Sequence, residues 1–175
     1  MKKDHAERPI GIRQIRAMAQ SATDEESLRQ LVEGIYDADP VAARNAAWTM
    51  THLTDDQIAL LQPRQNEFID LAMQTSNTSL RRLLLNVIER QEMDEQTLRT
   101  DFLDFCLEHM ASPAEPPGVQ TLCMKLAHRA CSFYPELLKE FAEILQMMDD
   151  GYAICVKSLR RKMLSTLFSN EKMKE

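Results

Sequence analysis

The chain contains few of the residues that make tight turns and few that favour sheets. Its 175 residues include 4 glycines and 7 prolines, and aromatic side chains make up 6%. The prolines fall between periodic apolar segments, which indicates long helices joined by short turns. No segment alternates apolar and polar residues with a period of two, so no β-sheet is expected.

Signals for secretion and for membrane insertion are also missing. The stretch 1–8 has no apolar core of a signal peptide, and no run of about eighteen apolar residues occurs. The contents of 44% apolar and 27% charged residues are typical of a globular protein. We therefore expect a cytoplasmic protein without membrane contact. It would form a single domain over 1–175, with flexible ends at about 1–8 and 170–175.

Motifs for catalysis, cofactors and metals are not found. There is no Gly-rich phosphate loop, no HExxH sequence and no hydrolase-like order of serine, histidine and aspartate. Cys106 with His109, and Cys123 with His128, would be the pairs to supply a metal site, but their spacings match no zinc or redox motif. Buried reduced cysteine is the simpler interpretation. We predict no enzyme activity, no cofactor and no metal.

The chain does contain a series of amphipathic helix patterns, with apolar residues three and four apart. Thr23 is the predicted cap of the second helix. The turns between paired helices centre near 39, 77, 115 and 150. Units that repeat at the intervals between these centres, with two helices in each, are typical of an α-solenoid. The alternative is an irregular helical bundle. The predicted helices are 9–20, 23–36, 40–53, 57–75 (broken or kinked at Pro63), 79–91, 95–110, 118–133, 135–148 and 152–168.

The clearest unit starts at Asp39-Pro40 and continues through Arg44 and Ala46-Ala47 to the apolar Met50. This segment resembles the second helix of a HEAT repeat, and Ser79-Leu80-Arg81-Arg82 resembles the same helix start. The resemblance to HEAT/armadillo-like proteins implies an all-α superhelix, a HEAT-like solenoid of about four helical hairpins plus an N-terminal helix.

More closely, the chain resembles a family of small bacterial HEAT-like proteins of unassigned role. Members of that family sometimes carry the label adenylosuccinate lyase. The Ser-Ser-x-Met-Pro-x-Lys-x-Asn loop of that enzyme is absent and the chain is far too short, so we do not adopt the label. The matching segments are Ala47-Trp48, Ser112-Pro113 with Glu115-Pro116, Tyr134-Pro135-Glu136-Leu137 and Lys157-Ser158-Leu159-Arg160-Arg161-Lys162.

Charge divides between the two helices of each pair, within a chain of net charge −6. The first helices with their closing turns are net negative, whereas the second helices are net positive. The resemblance places the second helices on the concave face, so we predict a basic inner surface. The alternatives are a solvated stripe paired with neighbouring acids, and a packing role for Trp48. The candidate partner-binding residues are Arg44, Trp48, Arg82, Asn86, Lys125, His128, Lys157 and Arg161.

Two functional hypotheses follow. The first is a non-enzymatic protein-protein interaction or scaffold module, which binds a protein or peptide of acidic character through the basic concave face. The alternative is a nucleic-acid-binding protein, related only in architecture to HEAT-like DNA alkylation-repair glycosylases; the pI of about 5.3 opposes it. The last helix carries Leu164, Leu167 and Phe168 with no polar capping helix after it, which predicts a homo-oligomer formed through this helix.

Overall fold

The computed structural model describes residues 10–149 and 151–172, and all regular structure within these ranges is helical. The prediction of an all-α protein is confirmed. An N-terminal helix is followed by four helical hairpins, α2–α3, α5–α6, α7–α8 and α9–α10. The helices are α1 (Ile12–Ser21), α2 (Glu25–Gly34), α3 (Pro40–Met50), α4 (Asp55–Leu60), α5 (Gln65–Gln74), α6 (Thr78–Arg90), α7 (Thr100–Ala111), α8 (Pro117–Cys131), α9 (Pro135–Met147) and α10 (Ile154–Lys172).

Several helix ends differ from those predicted. The cap of α2 is Asp24 and not Thr23, because the Asp24 carboxylate accepts the backbone N–H of Ser27 at 2.7 Å. The segment 57–75 forms α4, a 3-10 turn at Gln62–Arg64 and α5. The break occurs where Pro63 offers no backbone donor. Another 3-10 turn, at Glu95–Thr97, delays α7.

At the C-terminus, α10 continues beyond the predicted end at residue 168 and reaches Lys172. The predicted flexible ends at 1–8 and 173–175 lie outside the described residues. Contacts divide the chain into two compact units, Met1–Glu92 and Met93–Glu175. The expectation of one domain over 1–175 stays a prediction.

In the first unit, α3 packs against α1, α2 and α6, and α6 also packs against α5 and α4. Helix α3 starts where Asp39 accepts the backbone N–H of Val41 at 2.9 Å, with Pro40 in the first turn. The apolar side chains of Ala46, Met50 and Leu53 are buried. Small side chains let neighbouring helices approach α3 from several sides.

The closest of these approaches is between α2 and α3. A Cβ atom added to Gly34 would lie 3.0 Å from the Cβ of Ala46. Real Cβ contacts are rarely this short, so glycine is needed at position 34 for steric reasons. Gly34 ends α2 without a left-handed backbone conformation.

In the second unit, α8 packs against α7, α9 and α10. Its Met124 is wholly buried, in keeping with a helix that has three neighbours. Cys106 and Cys123 are buried in the same core. Burial raises the pKa of the Cys106 thiol and raises that of Cys131 to about 11. These thiols therefore stay protonated, in keeping with apolar core residues.

We predict that Gly34→Ser destabilises the protein by about 1–3 kcal/mol, because the added side chain overpacks the α2–α3 contact. The matched control is Gly11→Ser, where no atom lies within 4 Å of the added Cβ. Serine at this helix-capping position should leave stability unchanged or slightly raised. Urea unfolding of both variants measures the difference, and equal midpoints would contradict the role given to Gly34.

Candidate partner-binding surfaces

The candidate residues of the first unit lie on two neighbouring helices. Arg44 and Trp48 are one turn apart on α3, and Arg82 and Asn86 are one turn apart on α6. Arg82 is exposed, and the other three side chains are partly exposed. They occupy positions that packing against adjacent helices leaves uncovered. We call these four residues the α3/α6 face.

The Arg44 side chain makes few polar contacts within the chain. Its Nη2 donates to the Asn45 side-chain oxygen at 3.1 Å. Its Nε is buried and finds no hydrogen-bond acceptor within residues 10–149 and 151–172. In the same ranges, no carboxylate forms an ion pair with Arg44 or with Arg82. The Arg44 guanidinium therefore has no charge partner among the described residues.

Trp48 is both packed and accessible. Its ring lies tilted against His52, with 6.5 Å between ring centroids, and the residue stays partly exposed. A tryptophan held by one neighbour and open on another side contributes contact area to a partner at little cost in side-chain entropy.

The candidate residues of the second unit lie on α8 and α10, which pack against each other. Lys125 and Arg161 are exposed, and Lys157 is partly exposed. The His128 ring lies 5.7 Å from the Phe141 ring, and burial lowers its pKa. His128 is therefore neutral at physiological pH and adds no positive charge. We call these four residues the α8/α10 face.

Other basic residues of the second helices are occupied in holding helix ends. Arg81 donates to the main-chain oxygens of Ala72 at 3.1 Å and Thr75 at 2.7 Å, at the C-terminus of α5. Arg160 donates to the main-chain oxygens of Leu145 and Gln146 near the end of α9. The last carbonyls of a helix lack intrahelical donors, so an arginine there satisfies them.

Arg90 has a similar role after α3. It donates to the main-chain oxygens of Thr51 at 3.2 Å and Leu53 at 2.8 Å, and to the Asp55 carboxylate at 2.7 Å. Sequence reasoning counted Arg81, Arg90 and Arg160 only as charges of a basic surface. Their neighbours in space give these residues their function: Arg81 and Arg160 bind the end of the preceding helix, and Arg90 binds main-chain oxygens 37 and 39 residues away.

A further side-chain hydrogen bond was not predicted from the sequence. His109 Nδ1 and a Glu115 carboxylate oxygen are 2.8 Å apart, and both side chains are largely buried. The His109 ring also lies 3.9 Å from the Phe105 ring. The pair joins the last turn of α7 to the segment that precedes α8. Histidine and glutamate six residues apart across a Ser-Pro turn give no periodic signal.

Comparison of the sequence with protein families finds a match to the HEAT repeat domain over residues 2–167. The chain belongs to this family. No curated protein and no solved structure is significantly similar to it. HEAT repeat domains commonly act as protein-interaction scaffolds and are typically non-enzymatic. Membership confirms the resemblance drawn from Asp39-Pro40, Arg44 and the small residues that follow.

Within the described ranges, no group of three or more His, Cys, Asp and Glu residues is placed to hold a metal ion. No helix in those ranges is long and apolar enough to cross a membrane. On α10, Leu167 is buried, whereas Phe168 remains 43% exposed, so only part of the predicted apolar end is available.

We expect Arg90→Met to lower stability by about 1–3 kcal/mol, because it leaves the carbonyls of Thr51 and Leu53 without their donor. The control is Arg82→Met on the same helix. Its side chain is exposed, so the change should stay within about 0.5 kcal/mol. Urea midpoints compare the two. Equal losses would show that Arg90 is no more structural than Arg82.

The pH dependence of stability should reveal the His128 contact. Because burial lowers the folded-state pKa of His128 below the value of 6.5, the unfolded chain binds the proton first as the pH falls. Stability should therefore decrease between neutral pH and about pH 5.5, and part of this decrease should vanish in His128→Gln. His52→Gln is the control for loss of a histidine elsewhere. Superimposable pH profiles for wild type and His128→Gln would refute the assignment.

Proposed function

We propose that this HEAT repeat protein is a non-enzymatic interaction module, and that the α3/α6 face binds an acidic segment of a partner protein. The observation that carries the proposal is that neither Arg44 nor Arg82 has a carboxylate partner in the described ranges, while Trp48, one turn from Arg44, stays partly exposed. Arg82, exposed on the neighbouring helix, adds a second guanidinium. We also propose that the protein acts in the cytoplasm.

The chemistry of this face fits a protein segment with carboxylates. A guanidinium forms two parallel hydrogen bonds with a carboxylate, which gives orientation as well as attraction. Exposed ion pairs contribute only about 0.2–1 kcal/mol each, so charge alone would bind weakly. Trp48 supplies the apolar contact area of an energetically important interface residue, and the Asn86 amide can hydrogen-bond to a partner's main chain.

The α8/α10 face is a second proposed contact in the same activity. Lys125, Lys157 and Arg161 carry its charge, and His128 contributes a neutral ring. Its basic side chains attract acidic partners over a distance of about one Debye length, roughly 8–10 Å at physiological salt. This contribution should show mainly in the rate of association.

Nucleic-acid binding is the less supported function. Arg81, Arg90 and Arg160 donate to main-chain carbonyls, which reduces the number of cations available for phosphates. Affinity for a nucleic acid depends on the number of phosphates neutralised. Binding to duplex DNA that weakens steeply with added salt would favour this alternative over a protein partner.

The proposed partner face can be tested by site-specific photo-crosslinking in cells that make the protein naturally. Benzoylphenylalanine replaces Asn86 on the α3/α6 face or, as a control, the exposed Asn66 on α5. We expect a protein adduct from position 86 that disappears when Arg82→Glu is added. Arg13→Glu, on α1, is the control for charge reversal. An adduct of equal yield from position 66, or one insensitive to Arg82→Glu, would contradict the face.

Self-association through α10 remains a separate proposal, supported by the exposed part of Phe168. Light scattering should give a concentration-dependent mass that returns to the monomer value in Phe168→Ser. A wild-type protein that is monomeric at every concentration would exclude this contact.

A further inference from the structure

The first unit contains a groove that none of the candidate residues line. It has a volume of about 400 Å³ and lies between α1, α2 and α3. Its walls combine apolar side chains, such as Met18 and Leu31, with small residues that leave the space open, among them Gly34 and Ala46. The groove falls in the size range of protein sites that bind small ligands or single side chains.

Asn45 contributes a side-chain hydrogen-bond donor to the groove. The residue lines the groove and is only 6% exposed. Its side-chain oxygen accepts from Arg44 Nη2 at 3.1 Å, which identifies the other amide atom as the donor Nδ2. Among the described residues, no acceptor bonds to Nδ2. Nδ2 is not among the side-chain atoms that are fully buried without a partner, so it stays within reach of solvent, and a molecule from outside the chain can supply its acceptor.

Gln30 complements this donor from α2. Its Nε2 donates to a Glu26 carboxylate oxygen at 2.9 Å, so the acceptor end of its amide is the other atom, Oε1. The groove is thus lined by one amide donor, on Asn45, and one amide acceptor, on Gln30. A main-chain peptide group carries the matching acceptor and donor.

We propose that the α1–α2–α3 groove binds an extended peptide segment of a partner protein, with an aliphatic side chain between its apolar walls and a main-chain carbonyl accepting from Asn45 Nδ2. A helical segment would not suit, since its carbonyls are already bonded within the helix. The inference adds a site to the interaction module and does not depend on the α3/α6 face, because Arg44, Trp48, Arg82 and Asn86 do not line the groove.

The test titrates the full chain with N-acetyl-leucine N-methylamide, which has one aliphatic side chain and two peptide groups. The ¹⁵N–¹H signals of the Asn45 side-chain amide are followed by NMR. We expect saturable shifts of these signals. N-acetyl-glycine N-methylamide, which lacks the side chain, should bind about tenfold more weakly, in line with burial of an aliphatic group.

Two variants make the assignment specific. Ala42→Phe should fill the groove and weaken binding of the leucine probe by about tenfold or more, whereas Ala59→Phe, at an exposed position outside it, should not. Asn45→Asp replaces the donor with an acceptor and should also abolish binding. Because this variant lacks the side-chain amide, binding is followed at the main-chain amide signals of the groove residues Ala42 and Ala46, and the result does not depend on how Ala42→Phe folds.

Three results would overturn the proposal. The Asn45 signals would fail to shift if solvent satisfies this amide. Equal affinity for Ala42→Phe would place the probe elsewhere, and equal affinity for the glycine probe would remove the aliphatic pocket. None of these outcomes depends on crosslinking from position 86, so failure of the groove and failure of the α3/α6 face are distinguishable.

Discussion

The close contact of α3 with its neighbours is the constraint on which the first unit depends. A helix that touches α1, α2 and α6 at once needs small side chains on several sides, and Ala46 and Ala47 provide them. Gly34 removes the last side chain between α2 and α3. Because few positions on α3 remain uncovered, the side chains at those positions, Arg44 and Trp48, are held by the packing and form a preorganised surface.

Close packing of the helices also explains why several arginines in the two units bind main-chain carbonyl groups. Helices that end against a neighbour leave carbonyl groups that need donors, and arginines from the next hairpin or helix provide them. Arg81, Arg90 and Arg160 therefore stabilise the fold. Arg82, next to Arg81 in the sequence, points to a different side of α6 and stays exposed. Adjacent residues with the same charge thus have different roles.

Under the proposed function, this HEAT repeat protein would have two ways to recognise a partner. The α3/α6 and α8/α10 faces would select by charge, through their cations and aromatic area. The α1–α2–α3 groove would select by size and by an available carbonyl, through its apolar space and its amide donor. Apolar burial contributes most of the affinity in such sites, and polar groups contribute orientation.

Much of the fold could be read from local patterns. The 3.6-residue periodicity gave the helix positions, and Asp39-Pro40 predicted the start of α3. The ends of helices were less predictable, as at Thr23 and Asp24, because two neighbouring residues were both suitable caps. The exposure of Arg82 also followed from its angle on the helix. The burial of Met124 could not be predicted in this way, because α8 packs against α7, α9 and α10, and periodicity does not reveal how many neighbours a helix has.

The sequence by itself determined the helical class, the pairing of the helices and the family, because these depend on residue spacing and composition along the chain. Only the tertiary structure decided which cations hold helix ends, that burial lowers the pKa of His128, and that Asn45 Nδ2 lacks an acceptor among the described residues. These properties depend on distances between atoms far apart in the sequence. A hydrogen bond such as Arg90 to Thr51, or a groove between three helices, exists only once the helices have packed.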